Sequence, residues 1–190
     1  MVRVLIGALA GGVAMFIAGF LFWATPLQYL GYSTATDAQG AAVQLSLAQN
    51  LPHTGRYVVP NPMTAVGGNG YTKGPIATVD YNSKGYSTAD PAAMIGGFVQ
   101  EVIVSLMIGL SLFGVAKRVG DFPSRAKLAI GISAAATVMI VLGDPIWMHG
   151  DWRYAIYATI ADLAMLTASG LVIARWFLPR PAVETAETLH

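Results

Sequence analysis

The sequence predicts an all-α transmembrane fold: a four-helix membrane bundle with a small extracytoplasmic α/β-ribbon cap between helices 1 and 2. Three observations predict it. The chain has 190 residues, 55% of them hydrophobic and only 11% charged, where soluble domains carry about 25% charged residues. The apolar residues gather in four runs, each long enough to cross ~30 Å of hydrocarbon. Between the first two runs, 25–90 is polar and punctuated by proline and glycine turns. A formal net charge of +1 leaves no basic footprint for nucleic acid. With no cysteine, disulfides, thiolate metal sites and cysteine nucleophiles are excluded.

The first span is 4–24, preceded by Arg3. Its apolar run exceeds the ~7–15 residues of a signal-peptide core, so it is expected to stay as a signal-anchor. Gly7-x-x-x-Gly11 is the small-residue spacing that lets helices approach closely, and packing against neighbouring spans explains it without a dedicated dimer face.

Residues 25–90 form the expected cap. Asp37 is placed to N-cap a short helix over 38–49. The runs 56–59 and 75–81 read as short strands separated by the glycine-rich loop 67–70. So small a unit has too little apolar surface to fold alone and is expected to lean on the spans or on another subunit. Two nearly repeated segments, 31–37 and 85–90, each precede a helix. Capping accounts for their Ser, Thr and Asp, and Asp90-Pro91 supplies an N-cap followed by proline at the first helical position.

The second span is 91–116, followed by a basic loop at 117–125 and the third span at 126–143. A tight connection, 144–151, leads to the fourth span, 152–178, and a tail, 179–190, expected to be disordered. With four spans, Arg3, the basic residues of 117–127, Arg175 and Arg180 fall on one side, which the positive-inside rule makes cytoplasmic. Trp23, Trp147, Trp152, Tyr154 and Tyr157 then gather at the other interface, as an aromatic belt would. The expected setting is a bacterial inner membrane with both termini cytoplasmic and 25–90 outside.

Two acids interrupt the apolar runs. Glu101 and Asp162 each lie about ten residues from the outer end of their span, hence ~15 Å deep. Ser133 falls at a similar depth. A carboxylate there costs roughly 2.5–3.5 kcal/mol on insertion scales, so it faces the bundle interior or a partner. Three roles fit. The acids are structural, protonated or hydrogen-bonded to Gln100, Ser133, Thr159 or Thr167; they relay protons or bind a cation; or one faces a larger complex and meets a basic group there. No Lys or Arg lies deep in any span to serve as an internal partner.

At the outer mouth, Asp144, His149 and Asp151 carry ligand types for a divalent metal, although one histidine is a thin set and capping explains Asp151 equally. No metalloprotease, nucleophile-elbow, P-loop or dinucleotide motif occurs. The three histidines lie outside the spans, which excludes an intramembrane bis-histidine haem, and no cofactor is expected. The leading expectation is a non-catalytic accessory or assembly subunit of a larger membrane complex or a homo-oligomer. The alternative is a small ion- or proton-coupled transporter using Glu101 and Asp162, and the third is a membrane-embedded enzyme.

Overall fold

The computed structural model describes residues 2–179. In chain order the helices are α1 (Val2–Trp23), α2 (Asp37–Asn50), α3 (Ala65–Lys73), α4 (Pro91–Val115), α5 (Phe122–Val141), α6 (Gly143–Trp147) and α7 (Trp152–Trp176). The strands are β1 (Gly55–Val59) and β2 (Ala77–Tyr81). The chain forms two compact units, one from the chain up to Ser33 together with Pro91 onward, the other from Thr34–Asp90. The expected tail, apart from Pro179, lies outside the described residues, as does Arg180.

The first unit holds four helical segments long and apolar enough to cross a membrane: α1, α4, α5 continued by α6, and α7. On α1 the buried residues Val4, Ala8, Gly11, Gly12, Met15 and Gly19 recur every three or four positions, while Leu5, Leu9, Val13, Ile17 and Phe20 stay exposed. That is one packed stripe on an otherwise apolar rod, an arrangement suited to hydrocarbon and unfavourable in water. α7 is the centre of the unit, packing against α1, α4 and α5, whereas α4 and α5 scarcely touch each other.

Small residues let these helices meet. A Cβ on Gly11 would lie 2.3 Å from Ser105 Oγ and 2.7 Å from Ser169 Oγ, so only glycine fits where α1 crosses α4 and α7. There the Ser169 hydroxyl donates to Ser105 Oγ at 2.9 Å, and both serines are fully buried. α5 attaches to α7 by a strict i+4 stripe, Arg125, Ala129, Ser133 and Thr137, with Ala129 against Gly170.

Two buried or tethering arginines fix the ends. Arg125 is 4% exposed. Its Nε donates to the Val119 carbonyl at 2.8 Å and its Nη2 to the carbonyls of Ala116 and Pro179. It thus satisfies carbonyls past the ends of α4 and α7 that no helical N–H reaches. It is a clasp rather than the solvated loop charge its sequence position suggested. At the opposite end Arg153 donates to the Leu30 and Tyr29 carbonyls at 2.7 and 2.9 Å, fastening the 3-10 turn Pro26–Leu30 to α7. Tyr157 donates to the Phe22 carbonyl at 2.6 Å; Trp23 meets Tyr32 and Tyr157 edge-on, and Tyr154 packs against Trp23 and Tyr32 at a tilt. The start of α1, the α4–α5 connection and the end of α7 therefore share one end of the unit, and the aromatic cluster marks the other.

Several boundaries differ from the sequence expectation. α5 begins at Phe122, because Asp121 N-caps it by accepting the Ser124 N–H at 2.8 Å and Pro123 sits in the first turn. After Val141 the chain does not stop at Gly143 but makes the short helix α6, with Pro145 near its start.

In the second unit, β1 and β2 pair antiparallel with Gly55 opposite Tyr81 and Val59 opposite Ala77. The cap of α2 is Thr36, not Asp37: Thr36 and Gln39 form a reciprocal capping box, which leaves Asp37 in the first turn. The glycine-rich stretch expected as a loop is helix α3. Thr64 caps it by accepting the Gly67 N–H, and a Cβ on Gly67 would lie 1.9 Å from the Asn61 carbonyl oxygen. Glycine is there for close approach rather than for a turn. Gly67 is also the one buried residue across 34–90, so this unit has almost no core of its own.

Candidate functional site

α5 rests on α7 through a narrow stripe and scarcely touches α4. Between them lies a cleft of about 360 Å³ whose polar lining is Gln100 and Glu101 from α4, Thr137 from α5 and Asp162 from α7. Met15, Val104, Ile140, Met165 and Leu166 supply its apolar walls. The two acids of the sequence thus line one cavity, as does Gln100, and none of the residues lining it is basic. Glu101 Oε1 faces α1, 3.4 Å from where a Cβ on Gly19 would stand. Glu101 Oε2 is buried and has no hydrogen-bond partner among the described residues.

Ser133 stands apart. It is buried, donates to the Ala129 carbonyl of its own helix at 2.8 Å, and lines an adjoining cavity with Ile108 and Ile132. Thr159 is likewise spent on the Ala155 carbonyl at 2.7 Å. Neither hydroxyl holds an acid.

Thr137 behaves differently. Ser111, Ser133 and Thr159 each donate to the carbonyl four residues back. Thr137, buried at 2% exposure and lining the acidic cleft, makes no hydrogen bond among the described residues. An unpaired buried hydroxyl costs about 1–3 kcal/mol. Sequence reasoning passed over Thr137, although its position one helical turn beyond Ser133 on the i+4 stripe could have marked it.

Two further cavities share lining residues with the cleft. Asp162 and Ile140 also line a cavity of about 270 Å³ reaching Trp23, Asp144 and Tyr154 at the aromatic end. Val104 and Leu166 also line one of about 230 Å³ running the other way, walled by Met107, Ile108 and Ile132. The polar cleft is thus flanked by an aromatic-walled cavity on one side and an apolar one on the other.

At the aromatic end Asp144, His149 and Asp151 do not come together as ligands, and among the described residues no group of three or more His, Asp or Glu is placed to hold a metal ion. Asp151 caps α7 by accepting the Arg153 N–H at 2.9 Å. The Asp144 carboxylate packs against the backbone of Gly150. His149 has φ +53, a turn conformation between α6 and α7.

No protein family, curated protein or solved structure matches the chain.

Proposed function

We propose that this is a small ion- or proton-coupled membrane protein of the bacterial inner membrane, with both termini cytoplasmic and Glu101 and Asp162 as its working groups. The single observation behind this reading is the shared cleft: two carboxylates, an amide and an unpaired hydroxyl converge with no basic residue to neutralise them. Acids buried in a span are functional by default, because a purely structural pair would be selected to find partners. The link through Asp162 to Asp144 offers a polar path from the aromatic end to mid-depth. Purified protein in liposomes tests this. Wild type should move protons or a monovalent cation down an imposed gradient. Glu101→Gln with Asp162→Asn should reduce the rate at least about tenfold, the scale of one lost charge contact. Flux no greater than in protein-free liposomes would sink the proposal.

A second reading, an accessory or assembly subunit of a larger complex, draws on the 34–90 unit. That unit buries almost nothing, and Met63 and Val66 are 89% and 86% exposed. Surfaces of this kind suit a protein partner. Native purification in mild detergent followed by mass spectrometry distinguishes the two, because a stoichiometric set of partners favours the subunit.

A further inference from the structure

We infer that the α4–α5 groove is a binding site for a lipophilic organic cation, a protonated amine carrying an alkyl chain, which enters sideways from the bilayer. The inference rests on the reading of the cleft as a cation site and specifies the ligand.

The polar centre defines the head. Glu101 and Asp162 supply two carboxylates, Gln100 an amide and Thr137 a hydroxyl, all lining one cavity. Glu101 Oε2 and the 2%-exposed Thr137 hydroxyl are buried and lack partners among the described residues, so a side-chain rotation that turns either oxygen into the cleft gives it an ammonium N–H to accept. The size and walls of the cleft leave room for a cation larger than a bare inorganic ion. At about 30 Å³ per water-sized group, a cavity of about 360 Å³ holds roughly ten such groups. Beside its four polar side chains the cleft is walled by Met15, Val104, Ile140, Met165 and Leu166, which suits a cation that brings hydrocarbon with it. An alkyl ammonium is strongly hydrated, and the two carboxylates, the amide and the hydroxyl replace that hydration while the attached hydrocarbon gains by leaving water.

The walls define the tail. On the far side of Val104 and Leu166, which line both spaces, lies the cavity walled by Met107, Ile108 and Ile132, and an alkyl chain that displaces those two side chains would extend into it along α4 and α5. Met15 and Met165 flank the head, and methionine's flexible thioether adapts to ligands of varied outline. The mouth lies between α4 and α5: Gln100 and Ile140 line the cleft and are also exposed, whereas Met15 and Thr137 form its buried floor. In a bilayer that mouth opens to lipid, where an amphiphilic cation is already concentrated.

The test uses the full chain in zwitterionic nanodiscs, with radiolabelled dodecylamine as probe and empty nanodiscs as background. Binding should saturate, be displaced by unlabelled dodecylamine and be insensitive to dodecanol, which has the chain without the charge. Glu101→Gln with Asp162→Asn should weaken binding at least about tenfold, as expected when a buried charge contact is lost. Met107→Trp, at a lipid-exposed position on the tail side, should weaken it about fivefold by filling the apolar end. If the double variant does not elute as wild type does, Asp162→Asn alone is held to the same tenfold mark. Displacement by dodecanol as effective as by dodecylamine, or a carboxylate variant binding as wild type does, overturns the inference. Proton or inorganic-cation flux without dodecylamine binding overturns the ligand class while leaving the cation site standing. Absence of both overturns the two together.

Discussion

Two places in the unit of long apolar helices put polar groups deep among them, and they are built in opposite ways. Where α1 crosses α4 and α7, Gly11 brings the backbones so close that Ser105 and Ser169 have only each other, and they bond at 2.9 Å with no exposure. Between α4 and α5 contact is sparse, and Glu101, Asp162, Gln100 and Thr137 surround open space. The first place is closed and satisfied, so its polarity serves packing. The second is open and unsatisfied, so its polarity is available to something else. The contrast lies in helix spacing and in residue type together: two small hydroxyls close the first site, and two carboxylates line the second.

The largest effect should come from undoing the clasp that ties α5 to the ends of α4 and α7. Arg125→Ala removes three bonds to carbonyls at the ends of α4 and α7 and should lower stability by about 3 kcal/mol, read as a downward shift in thermal unfolding in detergent. If stability holds, α4 and α5 are fixed some other way. Next, Gly11→Val drives a side chain into Ser105 and Ser169 and should cost about 1–3 kcal/mol by the same assay. The Ser105→Ala and Ser169→Ala double-mutant cycle should return a coupling of about 0.6 kcal/mol, the usual size for hydrogen bonds between spanning helices. Against these, Glu101→Gln and Asp162→Asn, which remove a costly buried carboxylate without removing a bond, should not lower stability, while weakening whatever the cleft binds at least about tenfold. Destabilisation as large as that from Gly11→Val would erase the distinction between the two sites.

The smallest effect concerns pH. The Ser124 backbone N–H bonded to Asp121, aided by the Ser124 side chain, holds the Asp121 carboxyl below the usual carboxylate range. A depressed folded-state value means that this cap stabilises α5 at pH above the unfolded carboxylate value and is lost as pH falls through the lower, folded one. Wild type should therefore lose slightly more stability on acidification below about pH 4 than Asp121→Asn, whose cap does not titrate. Identical acid profiles would show that the cap contributes nothing measurable.

How far the chain was legible from its letters varied with how local the cause was. The four apolar helices could be read because length and hydropathy are properties of continuous segments. Asp151 as a cap was legible for the same reason. Thr36 took the capping position from Asp37 because Gln39 stands three residues on and completes the reciprocal box, a local signal that was present and outranked. The helix over 65–73 was hidden by its glycines, which normally mark turns. What they allow is the approach of the Asn61 carbonyl, a tertiary matter. Arg125 looked like a loop charge because nothing in its neighbourhood announces that Ala116 and Pro179 will present carbonyls to it.

By itself, then, the sequence determined that there are four spanning-length apolar helices, a polar segment between the first two, and carboxylates at matching depths in the second and fourth spans. Depth follows from counting along a helix of fixed rise, so it needs no fold. Only the tertiary structure decided that Glu101 and Asp162 share a cavity, that Thr137 joins them while Ser133 does not, and that α4 and α5 scarcely touch each other. Which face a helix turns to its neighbour depends on small contacts such as Ala129 against Gly170. Almost any stripe of an all-apolar helix satisfies hydropathy equally well, so close packing has to make the choice.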